Sequence, residues 1–451
     1  MYNYIILNWE ERLMKNRVAA LILCIVCCFA LSGCDILSPQ TDELLSPPQL
    51  TGEMFPIEQA LKESVKEQYT LKYPSHGEQR SAVMLQDINN DGEEEAFVFY
   101  STSNDDLTTM HINAIVRDGK KWKSAAVQNI IASGLEKVEF CDLDGDGIME
   151  IVVGWEIYAQ SEKQVAVYSL QRKQLIPRLM QHYTSFLCCD LDQNGSNELF
   201  IHDLNTADSK NIAALYAIED TGNTQIAGCI MDNKVSEANK PILSTLKGGV
   251  PAIYIDETKG VAAVTEVLYM SGGKLVNSLL DTANSMENIS TVRPASIYCK
   301  DMDGDGALEI PIASELPNAD STSVEKLYYT NWCSFDGQTL TQTDVTIVNT
   351  ADGYMLDIPD KWLGNIAVAK DTEKRTRTVY SYDPETNMVG VKIVTFKVVD
   401  EKEWNKKNYD KKGTVEISRS GGYVYCATPT AYDGELAVSE QAIIKMFAFI
   451  G

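Results

Sequence analysis

The stretch DLDGDGIMEIVVGW, Asp142 to Trp155, sets three aspartates at alternate positions, a glycine in sixth place and a glutamate in ninth, then runs on into apolar β-formers. Carboxylates crowded at the mouth of a hydrophobic strand repel one another and resist desolvation unless something positive joins them. The pattern recurs as DINNDGEEE from Asp87, DLDQNGSNE from Asp190 and DMDGDGALE from Asp301, all of the form D-x-[DN]-x-[DN]-G-x-x-E. A fifth unit, VPAIYIDETKGVAAV, keeps the apolar lead-in and Asp256 but has Thr258, Gly260 and Val264 where further oxygens would stand. The first aspartates of successive units lie 55, 48, 66 and 45 residues apart.

Each acidic loop is entered and left by short runs rich in β-branched and aromatic residues, such as EAFVFY, EIVVGW, ELFIHD and LEIPIA, and so joins two strands. A second turn signal follows in most units: VRDGKKW, YMSGGKL and SFDGQTL carry the Asp-Gly or Gly-Gly pairs that accept the positive φ of tight hairpins, while SLQRKQL and EDTGNTQ take that place with less obvious turn chemistry. Four strands per unit at a period near fifty residues predict a mainly β chain, a β-propeller of about five four-stranded blades with seven as the alternative.

The acidic loop followed by a strand resembles the FG-GAP or VCBS repeats of integrin α-subunit propellers and of many bacterial surface proteins. The resemblance spans roughly residues 80 to 350. It implies calcium in the hairpin loops and a surface used for binding. The Phe-Gly and Gly-Ala-Pro signatures that name the first family are absent here.

The chemistry of the loops points the same way. Calcium takes six to eight oxygen ligands in a flexible shell. The candidate ligands are Asp87, Asn89, Asp91, Glu93 and Glu95 in the first loop, and Asp142, Asp144, Asp146, Ile148 and Glu150 in the second. In the third they are Asp190, Asp192, Asn194, Ser196 and Glu198, and in the fourth Asp301, Asp303, Asp305, Ala307 and Glu309. Positions one, three, five and nine offer side-chain oxygens, position seven its main-chain carbonyl, and the glycine at six permits the sharp turn. Up to four Ca2+ ions are expected. An EF-hand takes its bidentate glutamate at position 12 between helices, dockerin modules need two loops close together, and Mg2+ prefers a stricter octahedron with several waters.

The formal charge of −25 excludes duplex nucleic acid as a natural partner, because phosphate binding runs on clustered Lys and Arg. At the amino end, Lys15 and Arg17 precede an apolar run from Val18 to Ala30 that is shorter than the roughly 20 residues of a spanning helix. Residues 1–33 therefore read as an export signal. The sequence LSGC that closes it resembles the bacterial lipobox, with Cys34 as the acylated residue. A start at Met14 accounts for Glu10 and Glu11, which fit such a signal poorly. Residues 34–55, rich in Pro, Ser and acids, read as a tether between the lipid and the body. The expected location is the outer face of the cell membrane, held through the lipid alone.

Within the body, residues 56–80 are a lead-in whose Ile57, Leu61, Val65 and Tyr69 mark an amphipathic helix. Residues 81–350 are the calcium-loop propeller, and 351–451 a separate small α+β domain ending in a helix over LAVSEQAIIKMFAFI. Cys141, Cys188, Cys189 and Cys299 lie inside apolar runs and read as small hydrophobes; once Cys24, Cys27, Cys28 and Cys34 of the export signal and lipobox are set aside, no CxxC pair is present. His76, His111, His182 and His202 are dispersed, and no HExxH, GxSxG or phosphate-cradling loop occurs. Trp155, Tyr158 and Trp332 are weighed as ligand-surface residues against the core role commoner for aromatics in blades. The function expected is an exported binding scaffold, not an enzyme, for an extracellular protein or glycan. The alternatives are an envelope- or polysaccharide-acting enzyme and a structural spacer.

Overall fold

The computed structural model describes residues 54–103, 109–158, 162–219, 222–283, 285–407 and 413–450; the export signal, Cys34 and most of the tether lie outside them. Among the described residues no helix is long and apolar enough to cross a membrane.

Among the described residues six antiparallel sheets follow one another. The second and third are plain meanders, Gly134–Cys141 to Gln174–His182 and Ser185–Cys189 to Gly222–Ile230. In the first, Tyr69–Leu71 and Val83–Gln86 share the edge of Glu95–Thr102, which continues through Thr109–Asp118 to Lys121–Ile131. The fourth is built on Pro251–Lys259 and Ala262–Ser271, and the fifth runs from Ile310–Leu316 through Leu327–Phe335 and Leu340–Asn349. The hairpin at SLQRKQL forms without glycine: Arg172 and Lys173 both adopt positive φ, 49° and 65°, and the flanking strands pair Gln171 with Gln174. Cross-strand packing outweighs the local strain there.

Strand alternation gives each sheet two faces, and neighbouring sheets bury them against each other. Phe97 and Phe99 of the first sheet pack with Val153 and Trp155 of the second; Val165 and Val167 pack with Leu199 and Ile201 of the third. Phe200 and Leu215 then meet Ile253 and Leu268 of the fourth, and Tyr254 and Val267 meet Ile310 and Phe335 of the fifth. Each fully buried side chain of this kind contributes roughly 1.5–3 kcal/mol. Trp155 and Trp332 are core residues, at 0% and 3% exposure.

The outer face of the first sheet, with Ala96, Val98 and Tyr100, is covered by Ile57, Ala60 and Leu61 of the helix Phe55–Ser64. That helix stops short of its expected end. Val65 is extended, and Tyr69–Leu71 leave to pair with Tyr100–Thr102, where aromatic and β-branched side chains complete the sheet edge.

Three further expectations are corrected. Asp256 is not the start of a turn: it sits within the strand Pro251–Lys259, because the apolar run that reads as a first strand is the second. The matching turn is Leu246–Val250, where Gly248 and Gly249 take positive φ. The boundary at 350/351 does not separate two cores. Leu340–Asn349 pairs with Tyr354–Asp357, which pairs with Phe447–Phe449, and one core joins Tyr329, Ile347 and Leu356 to Val368, Phe396 and Tyr425 of the sixth sheet. The last segment is a short helix, Glu440–Lys445, capped by Ser439, followed by a strand rather than more helix. Phe447 packs on Tyr354 and the more exposed Phe449 sets its ring edge against Tyr425, contacts that the helical spacing of the segment conceals. The far face of the sixth sheet, with Val424 and Cys426, is covered by Trp404 of the helix Glu401–Lys407.

The fourth sheet, which lacks an acidic loop, contains a buried ion pair between two of its own strands, and the same carboxylate receives the segment that leads into the fifth sheet. Arg293 Nη2 lies 2.5 Å from Asp256 Oδ1, with Thr265 Oγ1 donating to the same oxygen at 2.6 Å and Cys299 N donating to Oδ2 at 3.0 Å. Arg293 also donates to the carbonyls of Ile297 and Thr291, which fixes the connecting segment. Arg293→Ala leaves a buried carboxylate unpaired and is expected to lower stability by about 3–5 kcal/mol, read from the urea midpoint, whereas Asp256→Asn with Arg293→Met recovers more than half of it.

Candidate metal centres

The four acidic loops fold alike. In each, Oδ2 of the first aspartate accepts the N–H of the sixth-place glycine: Asp87 from Gly92 at 2.9 Å, Asp142 from Gly147 at 3.0 Å, Asp190 from Gly195 at 3.0 Å and Asp301 from Gly306 at 3.1 Å. Position three accepts from the N–H of position five, at Asn89, Asp144, Asp192 and Asp303. Position five accepts from position seven, at Asp91, Asp146, Asn194 and Asp305, the partners being Glu93, Ile148, Ser196 and Ala307. The curl needs left-handed backbone at two places. Position six is glycine throughout, at φ of 87–94°, and position four is Asn90, Gly145, Gln193 or Gly304, each with positive φ.

The ninth-place glutamate closes the loop from the far side. Its Oε2 accepts the N–H of position two: Ile88 to Glu95 at 3.2 Å, Leu143 to Glu150 at 3.0 Å, Leu191 to Glu198 at 3.0 Å and Met302 to Glu309 at 2.7 Å. All four glutamates are buried, since each also begins or adjoins the apolar second strand of its sheet. Burial first, and the nearby aspartates after it, raise their pKa values, to about 7 for Glu150 and Glu198. Asp144 is raised too, by burial and by Asp146.

Three loops bring carboxylates together, with one oxygen from each residue within 4.8 Å of the others: Asp142, Asp144 and Asp146; Asp190, Asp192 and Glu198; Asp301, Asp303 and Glu309. Glu150 falls outside its own set because its Oε1 is taken by Ser169 Oγ at 2.9 Å. In the first loop Asn89 replaces an acid, and no set of three carboxylates forms at that radius. The first three loops are joined in a row: Met149 N donates to Ile88 O at 2.7 Å, and Asn197 Nδ2 donates to Asp142 O at 3.1 Å. An oxygen-only donor set of high negative charge, on a loop with no lysine or arginine in it, suits a hard divalent cation.

At the opposite end of the same strands, sheets two and three enclose a polar cleft of about 820 Å3. Glu162, His182, Asp203, Asp208 and Lys210 line it; His182 Nδ1 is 3.6 Å from Glu162 Oε1, and Lys210 Nζ is 2.5 Å from Asp203 Oδ2. Beneath them the buried Tyr183 hydroxyl donates to Glu136, which Lys163 also meets at 2.7 Å. No motif in the sequence marks this group, because its members come from separate strands of two sheets. The histidines that look dispersed divide by place. His182 is in the cleft, His76 lies 3.8 Å from Glu136, His111 stacks on Tyr100, and His202 is buried between sheets three and four.

No protein family matches this chain in sequence, and no curated protein does. In structure it is similar to the periplasmic gluconolactonase of Pseudomonas aeruginosa, at 14% identity over 72% of this chain and 95% of that one, with a TM-score of 0.28. A Bacillus licheniformis rhamnogalacturonan lyase matches at 14% identity over 65% and 67% of the chains (TM-score 0.29). The Dos1 propeller matches at 8% identity over 78% and 68% (TM-score 0.28).

Because the folded glutamates hold protons more tightly than an unfolded chain does, their contribution to the stability of metal-free protein is full below their ordinary range and is lost as pH rises, through about 7 for Glu150 and Glu198. With chelator present the melting temperature is expected to fall between pH 5 and pH 8, and saturating Ca2+ to flatten that slope. A chelated protein that gains stability over the same window would refute the assignment. Loops two and four, with four carboxylates each, are expected to bind Ca2+ more tightly than loops one and three, with three. Calorimetric titration of variants that keep one loop intact ranks them.

Proposed function

We propose that this chain is an exported, lipid-anchored calcium-binding scaffold of propeller-like blades that binds a protein or cell-surface glycan. The observation that carries the reading is one hydrogen-bonded curl built four times around an oxygen-only donor set. Calcium at each curl neutralises acids that the apolar strands hold close together, so the ion clamps a first strand to a second. Affinities in the millimolar range suffice outside a cell. Rigid sheets then carry variable loops, which is where binding residues concentrate. Residues Cys34 and the tether set the body off the membrane surface.

The cleft between sheets two and three is the ligand site favoured by shape and chemistry. Its lining offers donors and acceptors in alternation, suited to a polyhydroxylated ligand. The same convergence of Glu162, His182 and Asp203 supports a second reading, an enzyme acting on polysaccharide or other envelope material, with the imidazole and a carboxyl as proton carriers.

Two measurements separate these. Envelope extracts passed over the immobilised chain with and without chelator are expected to yield one retained partner only when Ca2+ is present. Glu162→Gln with His182→Ala is expected to weaken glycan retention at least tenfold under the binding reading. Under the enzyme reading it abolishes turnover of a glycan while retention persists. A double variant that alters neither rules out the cleft.

A further inference from the structure

Cys141 and Cys188, small hydrophobes by their sequence surroundings, face each other across two sheets. Cys141 closes Gly134–Cys141, the first strand of sheet two, and Cys188 lies in Ser185–Cys189, the first strand of sheet three. Side chains alternate along each strand. Val138 and Phe140 pack toward sheet one, which sends Lys137 and Cys141 toward sheet three. Leu187 and Cys189 pack toward sheet four, which sends Phe186 and Cys188 toward sheet two. Both thiols rest on the one core that sheets two and three share, and the Cys188 thiol hydrogen-bonds with that of Cys141.

Contacts on either side of the thiols hold the two faces together. Lys137 Nζ lies over the Phe186 ring, 4.4 Å from its centre, and 3.5 Å from the Phe186 carbonyl oxygen. Just beyond Cys141, Asn197 Nδ2 donates to Asp142 O at 3.1 Å. The pair is also within reach of a small molecule. Both cysteines are half-buried, and both line a second cleft of about 650 Å3, together with Arg80, Lys137 and Lys240. Other thiols are engaged elsewhere: Cys299 Sγ lies against Asp256 Oδ1, and Cys426 Sγ donates to the carbonyl of Lys397.

We propose that Cys141 and Cys188, free thiols in this structure, are a redox pair that closes to a disulfide and staples the first strands of sheets two and three beneath the second and third acidic loops. One sulfur, as thiolate, attacks a small-molecule disulfide that enters the cleft, and a mixed disulfide forms as the first reagent thiol leaves. The other sulfur then attacks the protein sulfur of that intermediate, and the second reagent thiol leaves. Each cysteine gives up one proton and one electron, and the reagent carries them away as two thiols. The bond joins positions 47 residues apart (188 − 141), so it removes freedom from the unfolded chain and stabilises the folded one. It requires neither calcium nor export, although an exported chain meets the oxidising surroundings in which such bonds persist.

The test is peptide mapping of the full chain, reduced with dithiothreitol, freed of it and then exposed to oxidised glutathione. Trypsin is expected to release residues 138–163 and 179–210 as one linked species, lighter by two hydrogens than the two thiol fragments together, with fragmentation placing the bond at Cys188. Cys189→Ser is expected to give the same link and Cys141→Ser to abolish it. The oxidised chain is expected to melt about 5 °C above the reduced one, a difference that vanishes in Cys141→Ser. A link through Cys189 in place of Cys188, a glutathione adduct that stays on either cysteine, or an unchanged mass would overturn the proposal. So would a reduced chain that keeps zinc through dialysis and forms the link only after chelation, which assigns the pair to a soft metal. The parent chain alone decides these outcomes, so a variant that fails to fold leaves the test intact.

Discussion

The structure turns on a contradiction held at the end of each first strand. The glutamate that completes an acidic loop is also the residue that opens a buried apolar strand, so the same carboxylate must face both a cluster of negative charge and a hydrophobic interior. The backbone resolves half of the problem by donating the N–H of position two to that carboxylate in every loop. It does not remove the charge. Burial leaves the acid with a raised pKa, which is the condition under which a cation gains most by binding and a proton is its chief competitor.

From that constraint the rest of the architecture follows as a series of shared faces. Each sheet is too thin to bury both its sides alone, so it borrows a neighbour, and at the two ends short helices carrying Leu61 and Trp404 supply the missing apolar cover. The ties between sheets differ in chemistry. Rim loops joined by main-chain and amide hydrogen bonds run along sheets one to three, whereas in the fourth sheet Asp256, paired with Arg293 of the same sheet, accepts the N–H of Cys299 on the way to the fifth, and Asn211 of sheet three donates to Glu257. A ring of identical contacts would leave little room for a ligand site. Here the end of the strands away from the loops opens between sheets two and three into a polar cleft.

Much of this is legible in the chain as written. The spacing D-x-[DN]-x-[DN]-G-x-x-E carries its own local logic, since each side chain bonds to an N–H at most seven residues away and the glycine supplies the positive φ. The strands on either side are equally local, set by β-branched and aromatic alternation, and even the strand runs after residue 351 fall where their composition puts them. The errors arise where contact at a distance overrules local preference. Arg172 and Lys173 accept left-handed backbone because the strands they join pair, and Phe447–Phe449 abandons helix because Tyr354 and Tyr425 offer an aromatic face.

Sequence alone determined the acidic curls, their number and the oxygen atoms they present, because those interactions close within nine residues. Tertiary structure decided the partnerships between distant strands: His182 beside Glu162 with Asp203 of the next sheet, Asp256 bound to Arg293, and Glu257 sealed next to Glu266. These pairs depend on which faces stack and in what register, a choice made by the summed burial of many apolar side chains and written in no single stretch of residues.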